Sequence, residues 1–262
     1  MSEKGARPSA LLFDLDGTLY TDAGPVPGAV EALAELRRRS VPFRYVTNTT
    51  RRSRRLLADR LSGYGFAARA EEIVSAPIAC VALLEARGVR RVAAYVAGDT
   101  LEDFASFDLT AAHPEAVVIG DLGDAWDFAT LNGAFHQLMD GAELIALQRD
   151  RYWLRGDGLA LDAGPFVAAL EYATGKTATL CGKPSGAFYG AALATLLKVQ
   201  AAQPAEVVMV GDDLWGDVQG AQQAGLSAWM VRTGKFRDDV VAASGITPDR
   251  IIDSVAELPE LF

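Results

Sequence analysis

The stretch LLFDLDGTL, from Leu11 to Leu19, decides the fold of this 262-residue chain. A short apolar run near the start of a chain is typical of a buried parallel strand. Asp14 and Asp16 follow that run at a spacing of two, so both carboxylates project from the same side of the strand's carboxyl end. Open α/β sheets bind their ligands at that end.

Two acids this close repel each other unless a cation or a shared proton offsets their charge. The spacing of Asp14 and Asp16 therefore predicts a metal ion, of a kind that prefers oxygen ligands. The alternative is that the two acids only begin a solvated turn, and the stretch by itself leaves that alternative open.

Composition and charge narrow the class of protein. Half of the residues are hydrophobic, so the chain can bury a full core and more than one domain. The net charge of −9 argues against general nucleic-acid binding, which needs a positive surface. The sequence has no apolar run long enough to span a membrane, and residues 1–7 lack the apolar stretch of a secretory signal. Two cysteines are too few for a disulfide framework, and we expect a cytoplasmic protein without membrane or nucleic-acid partners.

Predicted strands and helices alternate along the chain. The expected strands after the first are 43–46, 73–75, 92–96, 116–119, 144–146, 177–181, 206–210 and 228–231. The expected helices are 29–39, 53–61, 77–87, 99–104, 128–139 and 164–174, one capped by Ser185 and one that stops at Gly225. Residues 78–178 repeat the alternation by themselves and include a hairpin at 152–161. This predicts an α/β fold in which residues 1–77 and 179–262 form a doubly wound parallel sheet and 78–178 form an inserted α/β cap.

Polar residues follow four of the predicted strands. They are Asp14 and Asp16, Thr47 and Asn48, Lys183, and Asp212 with Asp213 and Asp217. Side chains such as Thr47 and Asn48 after a strand bind an anion or only cap the next helix, and the sequence leaves both readings open.

Together these residues suit one reaction. Asp14 can attack phosphorus to form an aspartyl-phosphate, and Asp16 can protonate the leaving group and then take a proton from water. A cation held by Asp14 and Asp212 would neutralise the phosphoryl oxygens, which Thr47 and Lys183 would also bind. Asp213 and Asp217 would support the metal directly or through other ligands.

The set resembles the haloacid dehalogenase-like superfamily of phosphohydrolases. Its motifs are DLDGT from Asp14, Thr47-Asn48, Lys183-Pro184, and GDD from Gly211 with Asp217 after it. The resemblance implies a Rossmann-like core, Mg²⁺, Asp14 as nucleophile, Asp16 as acid/base and Asp212 as a metal ligand. It also implies a metal contact from the main-chain carbonyl of Asp16.

The position of the insert narrows the subgroup. Little more than one helix and one strand separates Asp16 from Thr47, whereas the whole inserted unit separates Thr47 from Lys183. This is similar to the type IIA, or NagD-like, class with a C2 cap. The runs LDAGPF from Leu161 and VRTGK from Val231 resemble the phospholysine phosphohistidine inorganic pyrophosphate phosphatase branch. ALQRD at 146–150 stands where many type IIA relatives carry ATNxD, which argues against a sugar-phosphate or glycerol-phosphate substrate.

The sequence therefore predicts a Mg²⁺-dependent phosphatase for a small phosphorylated metabolite, pyrophosphate or a phosphoramidate. Thr47, Asn48, Lys183 and the cap residue Arg151 are the expected substrate ligands, although an exposed hairpin edge explains Arg151 nearly as well. A phosphomutase with the same nucleophile, or a phosphate-binding protein without activity, is the alternative. By the same resemblance we expect a homodimer through the cap.

Overall fold

A computed structural model describes residues 8–155, 158–200 and 202–262. The chain divides into two compact units. The first contains the residues up to Thr47, Leu57–Val74 and Tyr189–Phe262, and the second contains Asn48–Leu56 and Ser75–Phe188. Residues 48–56, 75–77 and 179–188, which were predicted as part of the core, thus group with the second unit.

The strands and helices are numbered in chain order. Strands β1 to β14 are Ala10–Asp14, Tyr20–Thr21, Gly24–Pro25, Phe43–Thr47, Ile73–Ser75, Val92–Tyr95, Ala116–Ile119, Glu143–Ala146, Tyr152–Arg155, Gly158–Leu161, Thr179–Leu180, Val207–Gly211, Ser227–Val231 and Arg250–Ile252. Helices α1 to α9 are Ala29–Arg38, Arg54–Gly63, Ala76–Ala86, Phe128–Met139, Ala163–Thr174, Gly186–Leu197, Gly220–Gln223, Asp238–Ser244 and Leu258–Leu261. Shorter 3₁₀ segments include Gly98–Phe104, and Leu214–Gln219 is π-helical.

The first unit is built on one sheet of six strands, in the order β14-β13-β12-β1-β4-β5. β1 lies parallel between β12 and β4, and β13 and β14 continue the sheet in the same direction. After β1, the chain adds β4 and β5 on one side of that strand. Later in the sequence it adds β12, β13 and β14 on the other side. Ligands of such doubly wound sheets bind where the strand order reverses.

Burial explains why β1 is central. All five of its residues are buried, as expected for a parallel strand covered on both faces. Leu11 and Phe13 belong to a hydrophobic cluster that also contains Leu33 of α1 and Val210 of β12. The apolar run of the opening stretch is thus part of the core of this unit, and the acids that follow it lie at its edge.

The second unit has its own parallel sheet, in the order β11-β8-β7-β6, and a separate antiparallel ribbon of β9 and β10. Alternate residues of β7 enter different cores: Val118 packs with Ile145 in one cluster, and Val117 packs with Leu144 in another. A strand buried on both faces reads as a continuous apolar run, as AVVI does here. The predicted α/β class is confirmed in both units.

Some elements differ from their predictions. The strand expected at 177–181 is reduced to β11, and it pairs with β8 in the second sheet, because an apolar pattern predicts a strand without specifying its neighbour. The helix expected at 99–104 is a 3₁₀ segment, and β14, α8 and α9 were not predicted. The hairpin of β9 and β10 is confirmed, but its predicted turn residues 156–157 lie outside the described residues. No helix in the described part of the chain has the length and apolarity needed to cross a bilayer.

Candidate active site

The carboxyl ends of β1 and β12 meet where the strand order of the first sheet reverses. β1 ends at Asp14, and β12 ends at Gly211, just before Asp212. The two strands are parallel neighbours, with Phe13 opposite Val210. Because acids follow the apolar run of each strand, their side chains reach the same edge of the sheet.

Three carboxylates come together at this edge. Asp14, Asp212 and Asp217 each offer an oxygen, and these oxygens all lie within 4.8 Å of one another. The three residues are 6 %, 2 % and 0 % exposed, respectively. Buried carboxylates this close repel one another, and a divalent cation that prefers oxygen ligands would relieve the repulsion. The three carboxylates fit such a cation. For Asp217 the sequence left direct and indirect support of the metal open, and the structure places its carboxylate beside the other two.

A wide helical turn returns Asp217 to the site. In the π-helical segment Leu214–Gln219, the N–H groups of Asp217 and Val218 donate to the Asp213 carbonyl at 2.9 and 3.1 Å. Asp217 Oδ2 in turn accepts the N–H of Asp213 at 3.0 Å. Such π turns are rare and occur frequently at functional sites. This turn directs the Asp217 carboxylate back toward its own helix start.

Glycines make room for two of the carboxylates. A side chain at Gly17 or Gly234 would collide with Asp212 Oδ2, and one at Gly211 would collide with Asp217 Oδ2. Gly17 also has a φ of +81°, which disfavours residues with a side chain. The close approach of these backbone segments holds both carboxylates in place.

The loop after β13 contributes residues whose roles were not predicted from the sequence. Thr233 Oγ1 donates to the Gly17 carbonyl at 2.6 Å, and the Lys235 N–H donates to Asp212 Oδ2 at 2.9 Å. β13 is the parallel neighbour of β12, so its carboxyl end lies at the same edge of the sheet. The run VRTGK from Val231 marked this loop in the sequence, but only as a resemblance to one branch of the family.

Asp213 differs from its neighbour Asp212. Its Oδ1 accepts the N–H groups of Trp215 and Gly216 at 3.0 and 2.8 Å, which caps the helical segment. Its Oδ2 pairs with Lys235 Nζ at 2.8 Å. Partial burial lowers the pKa of Lys235, but nearby carboxylates, Asp213 foremost, raise it by more, so the ammonium stays charged. Asp213 therefore shapes the loop that carries the other acids.

Asp16 lies in the turn after Asp14 and is exposed. Tyr20 Oη donates to Asp16 Oδ2 at 3.3 Å, and Tyr20 itself is only 1 % exposed. Burial raises the pKa of Tyr20, and the negative charge of Asp16 raises it further, so the hydroxyl remains a donor. The role of Asp16 as the acid/base stays a prediction.

The remaining predicted ligands are divided between the units. Thr47 ends β4 in the first unit and is 3 % exposed, whereas Asn48 and Lys183 belong to the second. Asn48 Oδ1 accepts the Lys183 N–H at 2.7 Å, and Asn48 Nδ2 donates to the Lys183 carbonyl at 3.2 Å. The Asn48 side chain, which was predicted to bind substrate, therefore holds the backbone of Lys183 through two hydrogen bonds.

The loop with Lys183 leads directly into α6. Ser185 Oγ accepts the N–H of Phe188 at 3.2 Å, which confirms the cap predicted for this helix. Lys183 is 8 % exposed, so its charge lies in a largely enclosed environment. Its role as a ligand of phosphoryl oxygens stays a prediction.

The arginines near the β9–β10 ribbon have different environments. Arg149 forms a bidentate ion pair with Glu171, with N–O distances of 2.9 and 2.6 Å. Arg151 is exposed, and so is Tyr152, at 59 %. Arg149 therefore has a structural role, because its guanidinium is held by Glu171. The role of Arg151 as a substrate ligand stays a prediction.

A buried acid in the second unit, Asp162, is expected to make stability depend on pH. Asp162 precedes α5, and Gln148 Nε2 donates to its Oδ1. Burial and then the charges of Asp121 and Asp150 raise the pKa of Asp162 to about 6. A carboxyl whose pKa is higher in the folded chain than in the unfolded one binds extra protons when folded. Its contribution to stability therefore falls as the pH rises from about 4 to about 6.

Asp162→Asn is expected to remove this slope, because asparagine keeps an oxygen acceptor and does not ionise. The variant should be more stable than the wild type at pH 7 by about 2 kcal/mol, and the difference should vanish near pH 4. Urea unfolding across this range measures both values, with the exposed Asp22→Asn as control. A stability difference that stays constant with pH would contradict the prediction.

Comparison with known proteins places this site in a family. A model of the haloacid dehalogenase-like hydrolases matches residues 11–110, and a second, described as HAD-hydrolase-like, matches residues 180–258. Haloacid dehalogenase-like hydrolase domain-containing protein 2 from Bos taurus is 45 % identical over 228 residues, covering 87 % of this chain and 85 % of that protein. The chain belongs to the haloacid dehalogenase-like hydrolases.

Further relatives of this haloacid dehalogenase-like hydrolase are phosphatases by name. The human phospholysine phosphohistidine inorganic pyrophosphate phosphatase is 38 % identical over 261 residues, covering 96 % of this chain and 93 % of that protein. The structure of a glycerol phosphate phosphatase from Mycobacterium tuberculosis, in complex with calcium, has a TM-score of 0.83 and 30 % identity, and the match covers 96 % of this chain and 74 % of that one. The chain is therefore a phosphoric ester hydrolase of the haloacid dehalogenase type.

The fold comparison supports the subgroup. NagD from E. coli K-12 superposes with a TM-score of 0.86 and 26 % identity, and the match covers 96 % of this chain and 98 % of that one. The NagD-like resemblance predicted from the position of the insert is confirmed, and with it the doubly wound fold with a cap domain.

Proposed function

We propose that this hydrolase is a Mg²⁺-dependent phosphatase that acts on a small phosphorylated molecule through an aspartyl-phosphate on Asp14. The observation that carries the proposal is the cluster of Asp14, Asp212 and Asp217 at the switch point of the sheet, with Asp16 two residues beyond the nucleophile. A carboxylate in such a setting can act as a nucleophile in phosphoryl transfer.

The three clustered carboxylates would hold the metal, and the main-chain carbonyl of Asp16 is a further expected ligand. Mg²⁺ favours oxygen ligands and is commonly bound through one or two carboxylates together with substrate phosphate. Bound there, it neutralises charge on the phosphoryl oxygens.

The protein's own groups carry the covalent steps. In the first half-reaction an oxygen of Asp14 bonds to phosphorus, the bond from phosphorus to the leaving group breaks, and Asp16 gives its proton to the leaving atom. In the second, Asp16 takes a proton from the water that attacks phosphorus, and the bond to Asp14 breaks to release inorganic phosphate. Thr47 and Lys183 bind the phosphoryl oxygens through a hydroxyl donor and a positive charge.

Pyrophosphate and phosphoramidates are the substrates that we put first. The human relative at 38 % identity is named for phospholysine, phosphohistidine and inorganic pyrophosphate. The run ALQRD at 146–150 argues against sugar phosphates and glycerol phosphates. The relative at 30 % identity named as a glycerol phosphate phosphatase makes that compound a necessary comparison.

Release of inorganic phosphate, measured with Mg²⁺ and with excess chelator, tests the proposal. The compounds are 4-nitrophenyl phosphate, pyrophosphate, phospholysine, phosphohistidine, glycerol phosphate, sugar phosphates, nucleotides and pyridoxal phosphate. We expect Mg²⁺-dependent turnover, with pyrophosphate or a phosphoramidate among the best substrates. Turnover that survives removal of divalent metal would overturn the metal's role. No release from any compound by the folded protein would favour a phosphomutase or a phosphate-binding protein.

Asn48→Ala should slow this reaction, because it removes both hydrogen bonds to the backbone of Lys183. A misplaced lysine stabilises the transferring phosphoryl group less, so kcat is expected to fall by about 10- to 100-fold. Steady-state kinetics measures the change, and thermal unfolding confirms that the variant is folded. Asn132→Ala is the matched control, since the Asn132 amide contacts His136 on its own helix. An Asn48→Ala enzyme with the wild-type kcat would show that these two hydrogen bonds do not serve catalysis.

A further inference from the structure

Tyr20 is tied to Asp16 through both side chain and backbone. Its Oη donates to Asp16 Oδ2 at 3.3 Å. The Gly17 N–H donates to the Tyr20 carbonyl at 2.7 Å, and Asp16 and Tyr20 form an isolated β-bridge. These contacts link the start of the turn that follows Asp14 to its end at Tyr20. The phenol hydroxyl is therefore fixed in position relative to the acid/base carboxylate.

The surroundings of the Tyr20 ring hold it rigidly. The guanidinium carbon of Arg60 lies 4.5 Å from the ring centroid, and the centroid of the Tyr64 ring lies 5.3 Å away. Arg60 also donates to Tyr64 Oη at 3.4 Å. A cation over the ring face and a neighbouring aromatic both stabilise this placement. Phenylalanine would satisfy the same packing, so the contact with Asp16 accounts for the hydroxyl of this buried residue.

We propose that Tyr20 is a positioning residue for the proton transfers of Asp16, an inference that rests on the proposed phosphatase function. The Tyr20 hydroxyl holds Oδ2, and Oδ1 carries the proton that moves. As the bond from phosphorus to the leaving oxygen breaks, Oδ1–H gives its proton to that oxygen, and Oδ2 of the new carboxylate keeps the hydrogen bond from Tyr20. Oδ1 then takes one proton from the water that hydrolyses the aspartyl-phosphate, which restores the starting state.

This role has a kinetic signature that a packing role lacks. Protonation by Asp16 matters more when the leaving oxygen is more basic. Phenolate is a much stronger base than 4-nitrophenolate, and the two aryl phosphates otherwise have the same shape around phosphorus. Loss of the Tyr20 hydroxyl should therefore slow phenyl phosphate more than 4-nitrophenyl phosphate. Damage to packing alone would slow both esters to the same extent.

The experiment measures kcat and KM for both esters with the full chain in Mg²⁺, for the wild type and Tyr20→Phe. Phosphate release from phenyl phosphate is expected to fall by about tenfold in kcat, and release from 4-nitrophenyl phosphate by less than about threefold. Tyr64→Phe is the matched control: it removes the neighbouring hydroxyl but keeps the contact between Tyr20 and Asp16. It should leave the ratio of the two kcat values unchanged.

Asp16→Asn supplies a second, independent readout. If Tyr20 acts through Asp16, adding Tyr20→Phe to Asp16→Asn should not slow phenyl phosphate further, because the two effects are not additive. Equal losses on both esters, or an undiminished effect of Tyr20→Phe in the Asp16→Asn background, would overturn the role of Tyr20 and leave the proposed function intact. Failure of the wild type to release phosphate from these esters and from every compound named under the proposed function would overturn that function and this inference with it.

Discussion

Asp14→Asn is expected to reduce Mg²⁺-dependent phosphate release by at least about 10⁴-fold. The amide is a poor nucleophile, and it also removes one of the three charges clustered with Asp212 and Asp217. The loss should therefore appear in kcat for every substrate, whatever its leaving group. The rise in melting temperature on adding Mg²⁺ should shrink in parallel, because a ligand of the metal is lost.

The matched control for this prediction is Asp22→Asn, which makes the same chemical change at an exposed position in the turn after β2. It is expected to keep kcat within about twofold of the wild type, since exposed substitutions of this kind have small effects. An Asp14→Asn enzyme that retains substantial activity would exclude the aspartyl-phosphate route. Loss of activity in both variants would point to a general effect of charge instead.

Gly234→Ala is expected to lower activity by about 100-fold, although it replaces no residue that itself performs chemistry. A methyl group at this position would collide with Asp212 Oδ2 and would lie 2.8 Å from the Gly17 Cα. Asp212 is 2 % exposed and accepts the N–H of Lys235, so it has little room to move aside. The displaced carboxylate should bind metal less well, and the Mg²⁺ concentration for half-maximal activity should rise.

Gly190→Ala is the control for Gly234→Ala. Gly190 lies in α6, and a methyl group there meets no other atom within 4 Å. Replacing a glycine inside a helix with alanine should stabilise the protein by about 0.5–1 kcal/mol and leave activity unchanged. Titration of activity with Mg²⁺ and thermal unfolding, run on both variants, separate the two effects. Wild-type metal dependence in Gly234→Ala would show that Asp212 tolerates the displacement.

The secondary structure could be predicted where a pattern is long or strongly apolar. The strand at 116–119 and the helix at 128–139 have the predicted bounds, because a strand buried on both faces and an amphipathic helix both leave clear periodic patterns. β14 and α9 were missed; they have three and four residues and show little periodicity, although β5, also of three residues, was predicted with its bounds. β11 could not be assigned to its sheet, since pairing with β8 is decided by packing that is distant in sequence.

The site could be predicted as far as residue chemistry allows. Asp14 and Asp212 were expected to meet, because both follow apolar strands, and parallel strands end at a common edge. Thr233 and Gly234 could not be found in this way. One acts through a single hydrogen bond to a carbonyl, and the other acts through the absence of a side chain.

By itself, the sequence predicted which residues carry the chemistry and placed the acids at strand ends, because they follow apolar runs that are typical of buried strands. Only the tertiary structure decided what each of them faces. The Asp217 carboxylate lies close to that of Asp14 because the π-helical turn points it toward the start of the turn. Asp213, next to Asp212 in the sequence, instead caps that turn and pairs with Lys235. Asn48 is directed to the Lys183 backbone. The direction of a side chain depends on local backbone geometry and on contacts between distant segments, and neither is visible in the order of residues.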